Sequence, residues 1–202
     1  MIIDEAHNLM DAISSIYSTS VTLTQLQNCR AQIGVYLQKF RNKLKGKNRV
    51  YVTQTIRFID SLIGYLDGKA KTNRQTEGAV SISDFMTGKG VDQINLYKLE
   101  RYLQESKLAR KIDGYITYKE KDEENQSTVR ISTTPVLTHI QNFLQSLVNP
   151  AAEGRFFYSK TETKDLCLKY MLLDPTHHFR EIVDEARAVI LAGGTMSPVC
   201  DH

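Results

Sequence analysis

The sequence predicts an α+β chain, with a mostly helical middle that carries a small β hairpin or sheet. Strand–helix pieces of α/β type flank it at both ends. Three observations predict this. An apolar, strand-like start, Met1-Ile2-Ile3, runs straight into Asp4-Glu5-Ala6-His7-Asn8. Between Leu23 and Val148, apolar residues recur at helical spacing in several long segments. Near the far end, Ala188 to Leu191 is an unbroken apolar run, the pattern of a core parallel strand, and it leads into Gly193-Gly194-Thr195.

The elements follow in order. Asn8 to Tyr17 reads as a short helix with Leu9, Ile13, Ile16 and Tyr17 on one face. Ser18-Thr19-Ser20 breaks it. Val21 to Leu23 is a short extended link, and Thr22 or Thr24 can cap the helix that follows. Leu23 to Lys45 is a long helix with Gly46 as its stop. Tyr51 to Leu66 is a second helix, ended by Asp67-Gly68, and the two form an antiparallel hairpin. Lys69 to Val80 is polar and reads as a mobile loop.

Ser81 to Met86 starts a helical turn. Asn95 to Ser106 is a third helix, which Lys107 to Ile112 can prolong. Tyr115 to Tyr118 alternates like a strand, and Lys119 to Ser127 has the composition of a disordered segment. Pro135 suits the first position of a fourth helix, Val136 to Val148. Arg155 to Tyr158 and Asp165 to Leu173 form a hairpin around Glu162-Thr163. Thr176 to Arg187 is a last helix, with Phe179, Ile182, Val183 and Ala186 inward.

Composition sets bounds on this reading. With 202 residues, 41% hydrophobic and 24% charged, the chain is an ordinary globular sequence of one or two domains. A net charge of +3 permits nucleic-acid binding without arguing for it. No apolar run approaches a membrane span, and acid follows Ile2-Ile3 too soon for a signal peptide. Cys29, Cys167 and Cys200 are odd in number and widely spaced, against both a disulfide framework and a metal cluster made within this chain. An intracellular, reducing compartment fits.

Two adjacent carboxylates at the end of a buried strand repel each other and lose hydration. A divalent cation resolves that conflict. In nucleotide-hydrolysing motors the first carboxylate holds Mg²⁺ and the second orients the attacking water. The plainer alternative is a helix start, with Asp4 as N-cap and Glu5 favourable to the macrodipole. The strand, the carboxylate pair and the His, in that order, favour the motor reading. Such carboxylates need a phosphate loop, and no Gly-x-x-x-x-Gly-Lys-Ser/Thr occurs in the sequence.

Asp4-Glu5-Ala6-His7 resembles motif II of the DEAH-box, superfamily-two helicases. Ala188-Val189-Ile190-Leu191-Ala192-Gly193-Gly194-Thr195-Met196-Ser197-Pro198 is similar to motif III of the XPD-like iron–sulfur DNA helicases. Gly193 stands where motif III often has Ser or Thr. The long interval between the motifs is similar to that group's arch insertion. Ile94-Asn95-Leu96-Tyr97-Lys98-Leu99-Glu100-Arg101-Tyr102 is most similar to the cohesion-associated ChlR/CHL type, in a fungal form.

The resemblance implies three regions: a RecA-like motor piece with motif II over 1–20, an arch insertion over 21–174, and a second motor piece with motif III over 175–202. It implies ATP-dependent unwinding with 5′ to 3′ polarity, in replication, repair and sister-chromatid cohesion, in the nucleus. Asp4 would hold Mg²⁺, Glu5 would position water, and His7 would couple the ATP site to motif III. Gly193, Gly194 and Thr195 would link nucleotide state to the DNA surface, with Thr195 carrying the hydroxyl. ATP and Mg²⁺ would serve the full enzyme, as would an iron–sulfur cluster whose ligands lie outside this sequence. The sequence thus reads as a piece of a longer enzyme, inactive alone. It would be a monomer, or a dimer formed artefactually through an unpaired strand edge.

Lys39, Arg41, Lys43, Lys45, Lys47 and Arg49 lie close together with no acid among them. They read as a positive tip on the first helical hairpin. It would contact DNA phosphates, single-stranded or forked, or an acidic partner. Cations near a helix C-terminus also suit its dipole, the ordinary structural alternative. A second patch, Lys98, Arg101, Lys107, Arg110 and Lys111, includes Tyr97 and Tyr102; Tyr102 falls on the core stripe of its helix. The arch would guide single-stranded DNA and dock partners. Alternatively the region is an interaction module for replisome or cohesin components, with little direct DNA contact. His177 and His178 read as packing or capping groups rather than a metal site.

Overall fold

In the computed structural model, the described residues are 1–44, 46–72, 77–88, 90–123, 134–148, 153–161 and 163–193. They divide into two compact units. One gathers the described residues within Met1–Ser18, Ala151–Arg155 and Met171–His202; the other gathers those within Thr19–Pro150 and Phe156–Tyr170.

The first unit is the α/β one. Strand β1 (Ile2–Ile3) pairs in parallel with β6 (Ile190–Leu191), Ile2 opposite Ile190 and Ile3 opposite Leu191. A 3-10 turn, Ala6–Asn8, follows β1 and leads into helix α1 (Leu9–Tyr17). Helix α8 (Thr176–Glu185) precedes β6. It starts where the Thr176 N–H donates to Asp174 Oδ1 at 2.9 Å. Hydrogen bonds from Thr176 hold the Asp174 carboxyl below the usual range. His178 stacks on Tyr17, with ring centroids 3.9 Å apart and planes 11° apart, so it is a packing residue.

The parallel pairing agrees with the sequence, but the burial does not. Ile190 is 56% exposed and Leu191 43% exposed, and α8 buries no residue at all. Ile182 and Val183, expected to point inward, are exposed. Their spacing marks an apolar face, but a face is buried only where another layer covers it.

The second unit is helical with a four-stranded sheet, in the order β2 (Thr19–Thr22), β5 (Leu166–Leu172), β4 (Gly154–Lys160), β3 (Glu77–Val80). β2 runs antiparallel to β5, Val21 opposite Leu168, and β3 antiparallel to β4, Gly78 opposite Tyr158. Tyr158 leans over Gly78. A Cβ there would lie 2.8 Å from the Tyr158 ring, so a larger residue at this position would have to displace that ring. Between β4 and β5 the turn is closed by Thr161 N–H to the Asp165 carbonyl at 2.7 Å, with Lys164 at φ 62.

Helices α2 (Leu23–Phe40) and α3 (Lys47–Thr72) form the expected hairpin. Thr22 caps α2 in a complete capping box. Its hydroxyl accepts the Gln25 N–H at 3.1 Å, and Gln25 Oε1 accepts the Thr22 N–H at 3.1 Å. Arg30 Nε donates to Asp60 Oδ1 at 2.8 Å and ties the two helices. Their inner faces bury Leu26, Cys29 and Ile33 from α2 against Val52, Phe58, Ile59, Leu62 and Leu66 from α3. Burial pushes the Cys29 thiol up to about 12.

Beyond the hairpin come α4 (Ile82–Phe85), α5 (Leu96–Ser106), α6 (Leu108–Glu123) and α7 (Val136–Val148). Phe85, Phe143, Phe156 and Tyr170 form a connected aromatic group at the sheet.

Several boundaries differ from the sequence reading. α2 stops at Phe40 rather than Lys45, although Leu44 continues its apolar stripe. Phe40 packs on Tyr36 and edge-on to Tyr115, and residues 41–43 form a turn. α3 starts at Lys47 and runs through Asp67 and Gly68 to Thr72. Its extension is held by Lys69, whose Nζ lies 5.3 Å from the Tyr65 ring centroid and 4.9 Å from that of Tyr158. The expected mobile loop after it includes strand β3.

Tyr115 to Tyr118 is helical, not a strand, since Tyr115 packs on α2 through Phe40. Residues 119–123 also belong to α6 rather than to a disordered stretch, and the rest of that stretch lies outside the described residues. Lys107, at φ 50, separates α5 from α6 instead of joining them.

Candidate functional site

The motif II residues sit where β1 ends. Asp4 closes the strand, and its Oδ1 accepts the Glu5 N–H at 2.9 Å. Glu5 takes a left-handed conformation, φ 53 and ψ 39, which turns the chain sharply off the strand into the 3-10 turn. Ala6 is buried and anchors that turn. His7 Nδ1 lies 3.1 Å from Glu5 Oε2. Asp4, Glu5 and His7 are all exposed. The expectation that burial of both carboxylates creates the demand for a cation is therefore corrected: they stand at the open carboxyl end of a strand, free to face a ligand. In open α/β sheets that end is where ligands bind.

The strand that leads into Gly193 is brought to the same place. The Ile3 carbonyl accepts the Ala192 N–H at 2.8 Å, and the Ala6 N–H donates to the Ala192 carbonyl at 2.8 Å. The backbone ladder between β1 and β6 thus continues past both strands and ends at the residue before Gly193. Gly194 and Thr195 lie outside the described residues. Ala192 was not singled out from sequence, because its link to Ala6 is made by backbone atoms alone.

One exposed carboxylate, Asp4, beside a second, Glu5, fits Mg²⁺, which takes one or two protein carboxylates and fills its shell with water and nucleotide phosphates. A dedicated all-protein metal cage is absent among the described residues. An iron–sulfur cluster takes four ligands, usually thiolates. The sequence holds three cysteines, and Cys29 and Cys167 are buried free thiols, so these residues do not fit a cluster.

The basic residues belong to the other unit. Lys39 lies in the last turn of α2, Arg41 and Lys43 lie in the turn after it, and Lys47 and Arg49 are in the first turn of α3; all five are exposed, and Lys45 lies outside the described residues. Lys43 Nζ is 6.0 Å from the Phe40 ring centroid. The helix-dipole account fits Lys39 but fails for Lys47 and Arg49, which sit at a helix N-terminus. Lys47 and Arg49 also point to opposite sides of α3, given about 100° per residue. Among the described cations, Lys47 and Arg49 therefore do not share one face.

In the second basic segment, Tyr102 stacks on Tyr51, with centroids 4.5 Å and planes 16° apart, so it is a packing residue, as its spacing indicates. Tyr97 is exposed, and Arg101 Nε is paired with Glu105 Oε1 at 2.7 Å.

Comparison with known proteins adds to the geometry. The chain is 59% identical over 202 residues to the ATP-dependent DNA helicase chl1 of Aspergillus niger. It is 56% identical over 206 aligned residues to ATP-dependent DNA helicase CHL1 of Coccidioides immitis, and 40% identical over 203 to that of Vanderwaltozyma polyspora. From end to end, the chain matches fungal chl1 helicases. The resemblance read from the two end motifs is thereby borne out. Each match covers 100% of this chain but only 23–24% of the relative, so the chain spans about a quarter of their length. The solved structure of S. tokodaii Xpd4 shares the fold, with a TM-score of 0.52 at 16% identity over 100% of this chain and 34% of that one. No family model matches the chain. Among the described residues, no helix is long and apolar enough to cross a membrane.

Proposed function

We propose that the chain is the motif II to motif III segment of an ATP-dependent DNA helicase of the XPD-like, chl1 kind. One observation carries the reading: the Ala6 to Ala192 backbone hydrogen bond, 2.8 Å, which joins the two motif-bearing strand ends. The end-to-end similarity to chl1 helicases supports it.

In this reading the α/β unit belongs to a motor domain and the helical unit is the arch insertion. The arch guides a single strand of DNA and docks replisome or cohesin-associated proteins, and the enzyme acts in the nucleus in replication, repair and chromatid cohesion. ATP bound with Mg²⁺ supplies the phosphoanhydride bond to be hydrolysed. Asp4 would offer the carboxylate that holds the cation. Glu5 holds the attacking water by a hydrogen bond to its carboxylate and receives its proton. His7, 3.1 Å from Glu5 Oε2, restrains that carboxylate. Gly193, Gly194 and Thr195 follow Ala192, so a shift at Glu5 passes through the Ala6–Ala192 bond to motif III.

The test is Glu5→Gln in the longer helicase. Removing a general base lowers hydrolysis by about 10²–10⁴-fold, and nucleotide binding is retained. Hydrolysis at the parental rate sinks the assignment.

A further inference from the structure

Two basic segments far apart in sequence meet on the helical unit. Lys47, Val50, Tyr51 and Gln54 of α3 face Gln93 and Lys98, at the start of α5, across a groove of about 380 Å³. Among the described residues no carboxylate lines it. Tyr51, held by its stack on Tyr102, lines it, and Val50, 55% exposed, forms an apolar edge.

Arg57 continues the same face of α3. Its guanidinium lies 3.9 Å from where a Cβ on Gly90 would stand, just before the loop that carries Gln93. Lys47 to Arg57 spans ten residues of helix, about 15 Å at 1.5 Å per residue. That line of charge is long enough for more than one phosphate of an extended strand.

The surrounding acids are accounted for. Glu105 is paired with Arg101, Asp60 with Arg30, and Glu100 accepts from Gln104. Asp92 precedes Gln93 but does not line the groove. The α5 cap is neutral: Asn95 Oδ1 accepts the Lys98 N–H at 2.9 Å. Neither α3 nor α5 has an acid in its first turn, and each carries a lysine there. Those lysines oppose the helix dipole, so helix stability does not explain them.

We infer that this groove is a contact site for single-stranded nucleic acid, with Lys47, Arg57 and Lys98 on the phosphates and Val50 and Tyr51 on the base side. Cations, amides and an aromatic ring, with no carboxylate among the described lining residues, are the chemistry of sequence-independent single-strand binding. The inference rests on the helicase reading above and gives that reading a specific strand contact.

The test is anisotropy of a labelled oligothymidylate with this chain, titrated at low and moderate salt. The Lys47→Gln, Lys98→Gln double variant is expected to bind at least about tenfold more weakly at low salt. Its log–log salt slope flattens by about 1.4, two phosphates at about 0.7 each. Lys160→Gln, Lys164→Gln removes the same charge from the β4–β5 hairpin and keeps parental binding. Equal weakening in both variants, or no binding by the parent at low salt, overturns the inference. So does polyglutamate binding that is tighter than the oligonucleotide's and lost in the first variant, which makes the groove an acidic-peptide site. Both lysines are exposed, so circular dichroism is expected to show the same melting as the parent. Failure here leaves the Glu5→Gln result untouched, and failure of Glu5→Gln leaves the groove measurement untouched.

Discussion

The two units handle apolar surface in opposite ways. The helical unit encloses its own: Phe143 and Leu62 are both 0% exposed, and one continuous cluster runs from the α2–α3 hairpin to the sheet. The α/β unit leaves Ile2, Ile16, Leu173 and Ile190 largely in solvent, and its two-residue strands are held mainly by backbone hydrogen bonds. Yet that unit carries Asp4, Glu5 and His7 and the strand that leads into Gly193. The better-packed unit therefore owes its order to its core, while the candidate nucleotide site rests on a thin backbone ladder.

This contrast can be broken or sharpened by measurement. Phe143→Ala should destabilise the helical unit by about 3–5 kcal/mol in urea unfolding. A loss below about 1 kcal/mol would mean that its core is not the source of its order.

Alkaline pH tests the same core. The Cys29 thiol is raised from 9.0 to about 12, so the folded state holds its proton more tightly than the unfolded state. That stability is present below about pH 9 and lost as pH rises toward 12. Tyr65, raised to about 12 by burial and then by Asp84 and Tyr158, acts with the same sign. The urea midpoint should fall across this range, and Cys29→Ala should make the fall shallower. An equally steep fall in that variant would count against a tightly sealed Cys29.

Thr22→Ala removes a complete capping box and should cost about 1 kcal/mol. Ile190→Thr, at a 56% exposed site, should change stability by no more than about 0.5 kcal/mol. A large loss there would show that the α/β unit does have a packed core, and the contrast would fail.

Much of the helical unit was legible because an amphipathic helix writes its buried face into its own sequence. The Thr22 cap, the α2–α3 hairpin, α7 and the β4–β5 hairpin were all read from local pattern. Errors came where a distant contact outweighed local propensity. Tyr115 to Tyr118 alternates like a strand, but Tyr115 packs on Phe40 and the segment is helical. Asp67-Gly68 looks like a stop, but Lys69 over Tyr65 and Tyr158 carries α3 onward.

The sequence by itself determined the motifs, their order and the apolar stripes, since each is a property of neighbours along the chain. Only the tertiary structure decided three other things. Ala6 meets Ala192 through backbone atoms that no side-chain pattern encodes. Lys47 faces Lys98 while Arg49 points away, because α3 begins four residues earlier than its apolar stripe suggests. The apolar faces of α8 and β6 remain exposed. Periodicity tells which side of an element is greasy, but burial depends on a second layer, and residues remote in sequence must supply it.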